Sequence, residues 1–302
     1  MQRSARTILE RLVRIPSPTG EERAAAEAFA VWCADAGLEV ALQEVAPGRP
    51  NVIARWKGGG GPHLLLTGHL DTVPVGEGWT RDPFGAEVEG KRLYGRGACD
   101  MKGGLAAMLG AIVDLQRRGE EPAGDVTVAA VVGEEEDSAG TRALVAQGMH
   151  ADRAVLAEPT SMQLVISNRG LLNFRVVVKG ASAHASAPAL GRNAVTAAAA
   201  IVLELESIAD ELTRRPHPQF GPPSLTVGTI HGGTRPYVVP AAARSRSTGA
   251  STRARPLRRC WASWRQRSRS PGGGCHGSRR TSSRGRIICP LRHRTTTGSC
   301  GR

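Results

Sequence analysis

The chain has 302 residues, 40% of them hydrophobic, which is enough for two domains of ordinary size. It contains no run of 18 apolar residues, and its N-terminus lacks the apolar stretch of a signal peptide, so we expect a cytoplasmic protein rather than a membrane or secreted one. The net charge of +13 comes from residues 241–302, which hold 16 of the 40 basic residues and none of the 27 acidic ones. Residues 1–240 are therefore mildly acidic, and an argument for nucleic-acid binding could rest only on the tail.

The first 170 residues alternate between helical and extended patterns. Apolar spacing predicts three helices and four strands, over 4–15 (helix), 20–36 (helix), 51–56 (strand), 63–68 (strand), 103–118 (helix), 126–133 (strand) and 154–158 (strand). Thr19 is the predicted N-cap of the second helix. This alternation predicts an α/β fold in which helices flank a mostly parallel sheet.

After about residue 170 the pattern changes. Residues 171–180 and 224–233 read as strands, and the Ala-rich segment 192–208 between them reads as a helix. The order of strand, helix and strand predicts a small α+β module with a sheet that is exposed on one side.

His69 and Asp71 follow the second predicted strand. Two residues that are two apart on an extended segment point to the same side, so the Asp can hold one imidazole nitrogen while the other binds a metal. A capped turn at a strand end explains the same residues, and taken alone that reading is favoured.

Further acids stand at the ends of other predicted elements. Asp100 lies in the Gly-rich segment GRGACDMKGG, Glu134–Asp137 follow an apolar strand, and Glu158 ends another strand. Taken one at a time, Asp100 could be an N-cap, Glu134–Asp137 a solvated acidic turn, and Glu158 an exposed residue at the end of a strand. Four acids that leave a buried strand repel one another unless a cation is present. Together with His69, the acids form a mixed nitrogen and oxygen set that is suited to zinc. Such a set can hold two metals with a bridging carboxylate, while one further acid takes a proton from water.

Six motifs occur in an order that points to a known family: TGHLDTVP (67–74), WTRDPF (79–84), GRGACDMKGG (95–104), GEEEDSAGT (133–141), AEPT (157–160) and GASAHASAPALGRNAV (180–195). Over roughly residues 1–240 the chain resembles the acetylornithine deacetylase, succinyl-diaminopimelate desuccinylase and carboxypeptidase G family of two-zinc metallohydrolases. The resemblance implies a catalytic domain over 1–170 and a dimerisation domain over 171–240, with the residues 241–302 left as an aberrant tail.

The resemblance also implies a ligand set. His69, Asp100 and Glu158 match the ligands of one zinc, Asp100 matches the bridge, and Glu135 matches a ligand of the second zinc. Cobalt is an alternative metal. The family further implies a cis peptide bond between Asp100 and Met101.

The catalytic roles are carried over in the same way. Glu134 matches the general base and Asp71 the residue that orients His69. Aligning Gly140 with the family's glycine selects Glu134 and Glu135 over Glu136. His184 matches the histidine of the smaller domain that helps hold the tetrahedral intermediate, often in the active site of the partner subunit, so a homodimer is implied.

The implied substrate is an N-acyl amino acid or short peptide with a free carboxylate, and no membrane or nucleic-acid partner is expected. Arg235 in GGTRPY is a candidate for bidentate contact with that carboxylate, and a solvated surface arginine is the equal alternative. The sequence does not separate acetyl, succinyl and glutamyl substrates.

The family pattern fails after residue 240. Its second zinc has another His ligand near the C-terminus, and neither His276 nor His293 has the expected apolar strand and turn around it. The last strands and helices of the family's catalytic domain have no counterpart, and the smaller domain stops near Pro240. We therefore expect this chain to be inactive or nearly so and to be disordered over 241–302, because the tail has few aliphatic residues and a high charge density.

A change of reading frame explains these departures. One choice of codons for Ala243–Arg259, shifted by one position, encodes EIEIDWRLHPGETPEAV, which reads as a half-buried strand followed by a helix start. Loss of one base from an Asp codon after Pro240 would turn Pro-Asp-Arg-Cys into the observed Pro-Ala-Ala-Ala. A genuine nucleic-acid-binding tail competes with this reading, but such tails usually mix Lys with Arg and this one has no Lys. A non-catalytic remnant also competes, although the intact acidic and His set disfavours it.

Overall fold

A computed structural model of the protein describes residues 4–251 and the backbone of a strand at 286–290. The chain divides into two compact units, Met1–Leu164 and Val165–Arg302. Each unit has its own hydrophobic core. No helix within the described residues is long and apolar enough to cross a membrane.

The first unit contains the α/β part of the chain. Its elements, in chain order, are α1 (Ala5–Val13), α2 (Arg23–Asp35), β1 (Glu39–Ala46), β2 (Arg49–Trp56), β3 (Leu64–His69), β4 (Glu87–Glu89), β5 (Arg92–Tyr94), a π-helical turn (Ala98–Lys102), α3 (Gly103–Arg117), β6 (Val126–Val131), α4 (Ala139–Ala146) and β7 (Arg153–Leu156). Each helix and strand that the sequence predicts here is present, with ends shifted by a few residues.

The main sheet has the strand order β1-β2-β6-β3-β7. β3 runs parallel to both β6 and β7, whereas β2 runs antiparallel to β1 and β6. The expected α/β sheet with flanking helices is confirmed, but it is mixed rather than mostly parallel. The reason is the short turn through Gly48 between β1 and β2, because a two-residue connection can join only antiparallel strands. β1 was not predicted from the sequence, because half of its residues are exposed and its apolar pattern is weak.

The core of this unit lies between the sheet and the helices. Phe29 of α2, Leu12 of α1, and Leu105 and Leu109 of α3 are fully buried there. A Cβ on Gly68 would overlap the Met101 side chain, so β3 packs closely against the π-helical turn. This packing brings the turn to the end of β3.

The second unit is the expected small α+β module. It contains β8 (Gly170–Lys179), a short 3-10 turn (Pro188–Leu190), α5 (Ala194–Thr213), β9 (Ser224–Gly232), β10 (Ala242–Ser251) and β11 (Arg286–Pro290). The sheet order is β11-β8-β10-β9, and α5 packs on one face of it with Ala198, Leu205, Ile208 and Leu212 buried.

The strand β10 corrects the expectation that the chain is disordered from residue 241. It lies between β8 and β9 and is antiparallel to both. Backbone hydrogen bonds to two neighbours do not depend on side-chain type, which is why a segment of poor strand composition fills this position. Residues 252–285 and 291–302 lie outside the described residues, so the expectation is untested there.

The inward side of β10 has an unusual composition. Ala243, Ser245 and Ser247 are 3%, 3% and 5% exposed. Paired residues of antiparallel strands share a face, and Ser245 pairs with the buried Val176. Ser247 pairs with Phe174, and its buried hydroxyl has no hydrogen-bond partner among the described residues. Two serines therefore occupy an apolar layer in the centre of this sheet.

Candidate metal centre

Three parallel strands deliver the candidate ligands to one edge of the main sheet. His69 is the last residue of β3, Glu134 and Glu135 follow β6, and Glu158 follows β7. Neighbouring parallel strands end at the same edge, which is where open α/β sheets bind ligands. Asp100 reaches the same place from the π-helical turn.

The side chains converge around His69 Nε2. This nitrogen lies 3.2 Å from Asp100 Oδ1, 3.6 Å from Glu158 Oε1 and 3.9 Å from Glu134 Oε2. The ligand atoms of His69, Asp100 and Glu135 lie within 4.8 Å of one another, and so do those of His69, Glu134 and Glu158. The structure thus brings together His69, Asp100, Glu134, Glu135 and Glu158, although these two groups do not divide the acids as the family resemblance does.

The other nitrogen of His69 is fixed by Asp71, but through the main chain. Nδ1 lies 2.8 Å from the carbonyl oxygen of Asp71 and 3.6 Å from its carboxylate. A carbonyl only accepts, so Nδ1 carries a proton, and Nε2 is the nitrogen that a neutral ring leaves free to bind a metal. The expected contact was with the Asp71 carboxylate, whereas the shorter contact in the structure is with its main-chain oxygen.

The Asp71 carboxylate supports the acidic loop instead. It accepts hydrogen bonds from the main-chain nitrogens of Glu134 (3.1 Å) and Glu135 (3.2 Å), and from Thr19 Oγ1 (2.8 Å). The prediction that Thr19 caps α2 is wrong, because that helix begins at Arg23 with Glu22 in the cap position. Thr19 is a site residue that local helix signals concealed.

A buried lysine anchors the turn that carries Asp100. Lys102 is fully buried, and its Nζ donates to the carbonyl oxygens of Leu12 (3.0 Å) and Ile15 (2.7 Å) at the end of α1. Burial lowers the pKa of Lys102 to about 8. The expected cis peptide bond between Asp100 and Met101 is present.

Crowding of the acids changes their ionisation. Burial, together with the charges of Asp100 and Glu134, raises the pKa of Glu158 to about 7, although His69 opposes this. Burial and the charge of Asp100 also raise the pKa of Glu135. Burial alone would lower the pKa of His69, but the neighbouring carboxylates raise it. Closely packed acids around one imidazole nitrogen are an arrangement that a divalent cation relieves, and the donor set fits zinc.

Two other candidate residues belong to the second unit. His184 is exposed, and its Nδ1 lies 2.8 Å from Ser186 Oγ, while its backbone forms a bridge with Val238. Arg235 lines a cavity of about 590 Å³ together with Asn193, Thr234 and Val239. His276 and His293 lie outside the described residues. Among the described residues no second histidine joins the groups around His69.

The chain is similar to several known proteins. Residues 65–240 match the model of peptidase family M20/M25/M40, and the match ends where the Arg-rich tail begins. The chain is 36% identical over 262 residues to a succinyl-diaminopimelate desuccinylase of Gluconacetobacter diazotrophicus, covering 80% of this chain and 66% of the relative. It is 36% identical over 213 residues to an acetylornithine deacetylase of Edwardsiella ictaluri, covering 68% of this chain and 55% of the relative. The chain thus spans between about half and two thirds of the length of these relatives.

A solved structure shares the fold. An M20 family metallo-carboxypeptidase from Sulfolobus solfataricus superposes with a TM-score of 0.68 at 21% sequence identity, covering 89% of this chain and 76% of that protein. A human carnosine dipeptidase is a more distant neighbour, with a TM-score of 0.55 at 18% identity over 88% of this chain and 75% of that one.

Proposed function

Because the chain belongs to peptidase family M20/M25/M40, we propose that the cluster around His69 is the metal centre of an enzyme that hydrolyses the amide bond of N-acyl amino acids or short peptides. The observation that carries the proposal is the meeting of His69, Asp100, Glu134, Glu135 and Glu158 at one sheet edge. These residues come from four separate segments of the chain, and a solvent-exposed turn or a helix cap does not explain why they meet.

His69, Asp100 and Glu158 would hold one zinc ion, and Asp100 and Glu135 would contribute to a second. When bound, the ions would act as Lewis acids toward the amide carbonyl and lower the pKa of water toward neutrality. Cobalt has similar ligand preferences and is a suitable probe for the same site.

The remaining residues have roles in proton transfer and positioning. Glu134 takes a proton from the attacking water and delivers it to the leaving amine. Asp71 keeps the proton of His69 on Nδ1 and holds the loop that bears Glu134. By the family resemblance, His184, often that of the partner subunit, would donate a hydrogen bond to the oxyanion. Glu134 and Glu158 lie at similar distances from His69, so these distances do not identify the base. The assignment of Glu134 as the base is supported by the family motif.

The substrate class follows from the relatives and from one cavity. The two relatives above are named for a succinylated and an acetylated amino acid. Arg235 lines a cavity in the second unit with few other charges, where a guanidinium could bind a substrate carboxylate bidentately. The family resemblance also supports a homodimer formed through this unit.

We further propose that residues after Pro240 are read out of frame. If one base is restored, glutamate falls at positions 244 and 246 and isoleucine at positions 245 and 247. In the structure Arg244 and Arg246 are exposed, whereas Ser245 and Ser247 are buried in an apolar layer. The restored sequence therefore has polar residues outside and large apolar residues inside, as a strand covered by α5 requires.

As given, the chain should be inactive or nearly so, because two carboxylates are too few for a tight second zinc site. The test is a comparison of this chain with the frame-restored protein on N-acetylornithine, N-succinyl-diaminopimelate and folate-type glutamates, with zinc or cobalt. We expect turnover of at least one substrate by the restored protein alone. Turnover of none would overturn the proposed function, and an ordinary rate for the 302-residue chain would overturn the proposal about its tail. Sequencing the DNA at the Pro240 codon tests the lost base itself.

A further inference from the structure

A buried amide closes the neck of the loop that carries Glu134 and Glu135. Asn51 lies on β2, is fully buried, and is remote in sequence from the acids. Its Oδ1 accepts a hydrogen bond from the main-chain nitrogen of Val132 at 3.0 Å, and its Nδ2 donates to the carbonyl oxygen of Gly140 at 2.9 Å. Val132 and Gly140 are the two ends of the acidic loop.

These contacts form a closed ring. The main-chain nitrogen of Gly140 also donates to the carbonyl oxygen of Val132 at 2.8 Å. The second proton of Asn51 Nδ2 is donated to Gln43 Oε1 at 2.7 Å. The ring uses one acceptor and one donor of the side chain, and the contact with Gln43 uses a second donor, which together are the set that an asparagine amide provides.

The ring leaves no space for a side chain at Gly140. A Cβ there would overlap Asn51 Oδ1 and the main chain of Val132. The position lies in α4, where alanine is intrinsically a better helix former than glycine. The glycine is thus explained by close contact with Asn51 and not by local helix preference.

Other contacts hold the loop at different points. Asp71 accepts the nitrogens of Glu134 and Glu135 in the middle of the loop. Arg49, two residues before Asn51, pairs with the buried Glu22 and lies against Gly133. Among the described residues, Asn51 is the side chain that hydrogen-bonds to both ends of the loop, and it adds two contacts to the single main-chain bond between Gly140 and Val132.

We propose that Asn51 is a positioning residue of the metal centre: it closes the neck of loop 132–140 and so holds Glu134 and Glu135 at the distance from His69 that binds the metal. This inference rests on the proposed function. Residues that orient metal ligands typically change metal affinity 10- to 100-fold when they are replaced.

The first test measures amide hydrogen exchange in loop 132–140 without any metal. Hydrogen exchange of the 302-residue chain, followed by mass spectrometry, would compare Asn51→Leu with Phe29→Leu, a core change that leaves the ring intact. We expect faster exchange in the peptide that covers 132–141 for Asn51→Leu, with exchange in the Val126–Val131 strand unchanged, and no such selective change for Phe29→Leu. Should Asn51→Leu fail to fold, Gly140→Ala opens the same ring from its other side and should give the same local increase.

The second test measures the consequence for the site. Titration with Co²⁺, followed by its visible absorption, should give a dissociation constant at least about tenfold higher and an altered spectrum for the ring variants, with Phe29→Leu close to the unchanged chain. Unchanged exchange over 132–141 would overturn the inference, and so would faster exchange with the same Co²⁺ affinity and spectrum. If the unchanged chain binds no Co²⁺, the proposed metal centre fails, while the exchange arm still decides whether Asn51 closes the loop.

Discussion

The carboxylate of Asp71 accepts a hydrogen bond from the main-chain nitrogen of Glu134 at 3.1 Å, while its carbonyl oxygen accepts one from His69. One residue thus links the imidazole at the end of β3 to the acidic loop after β6. The position of Glu134 relative to His69 depends on this link, because His69 is in the last pair of β3 with β6, opposite Val131, and Glu134 lies beyond that pair.

Replacing Asp71 by asparagine should weaken metal binding by about 10- to 100-fold. The amide can accept from one of the two main-chain N–H groups, but its NH₂ faces the other and repels it. Isothermal titration calorimetry with Zn²⁺ measures the change in metal affinity. Asp152→Asn is the matched control, because its carboxylate also accepts a main-chain N–H but stands at the opposite end of β7 from Glu158. Equal affinity of the Asp71 variant and the control would contradict the role given to Asp71.

Metal affinity should rise with pH through about 7, where Glu158 loses its proton, and level off once His69 has also lost its proton. The pKa of Glu158 is raised to about 7 and that of His69 is also raised, so protons occupy both ligands in the metal-free site at lower pH. A metal must displace these protons, which costs about tenfold in affinity per proton for each pH unit below the pKa. Co²⁺ titrations between pH 5.5 and 8 measure the slope. Glu158→Gln should bind more weakly and with a smaller slope, and a slope of zero in the unchanged chain would contradict the raised pKa values.

Replacing Ser247 by isoleucine should stabilise the chain. The change removes a buried hydroxyl that has no partner and adds apolar surface beside Phe174, contributions of about 1 kcal/mol each before any strain. Thr248→Ile is the control, since this neighbouring position on β10 is exposed and should change the free energy of unfolding by less than about 0.5 kcal/mol. Urea unfolding followed by circular dichroism compares them. A lower stability for Ser247→Ile than for the control would count against the restored frame.

Much of the first unit could be read from the sequence because its buried strands are short apolar runs with acids at their ends. The run Val126–Val131 and the segment before His69 carry both the strand signal and the site signal in adjacent residues. The partners of the acids were harder to find. Thr19 and Asn51 lie 52 and 81 residues from their partners Asp71 and Val132, and no local pattern encodes such pairs.

The strand β10 shows a different limit of sequence reading. The composition of Ala242–Ser251 predicts no strand, because strand propensity reflects how side chains pack, and these side chains are small or charged. Its position between β8 and β9 nevertheless gives its backbone a pairing strand on each side. The segment takes a strand's place by its location in the sheet and not by the character of its side chains.

The most direct test of the central claim uses the frame-restored protein with Glu134 replaced by glutamine. We expect this variant to bind zinc about as tightly as the unchanged restored protein but to hydrolyse N-acyl amino acids about 10²- to 10⁴-fold more slowly, because glutamine cannot take the proton from water. Zinc content by mass spectrometry and initial rates on N-acetylornithine and N-succinyl-diaminopimelate measure both. A variant that keeps the full rate would contradict the role of Glu134 as the base, and a restored protein that hydrolyses these substrates equally well after its metal is removed would contradict the metal-dependent mechanism.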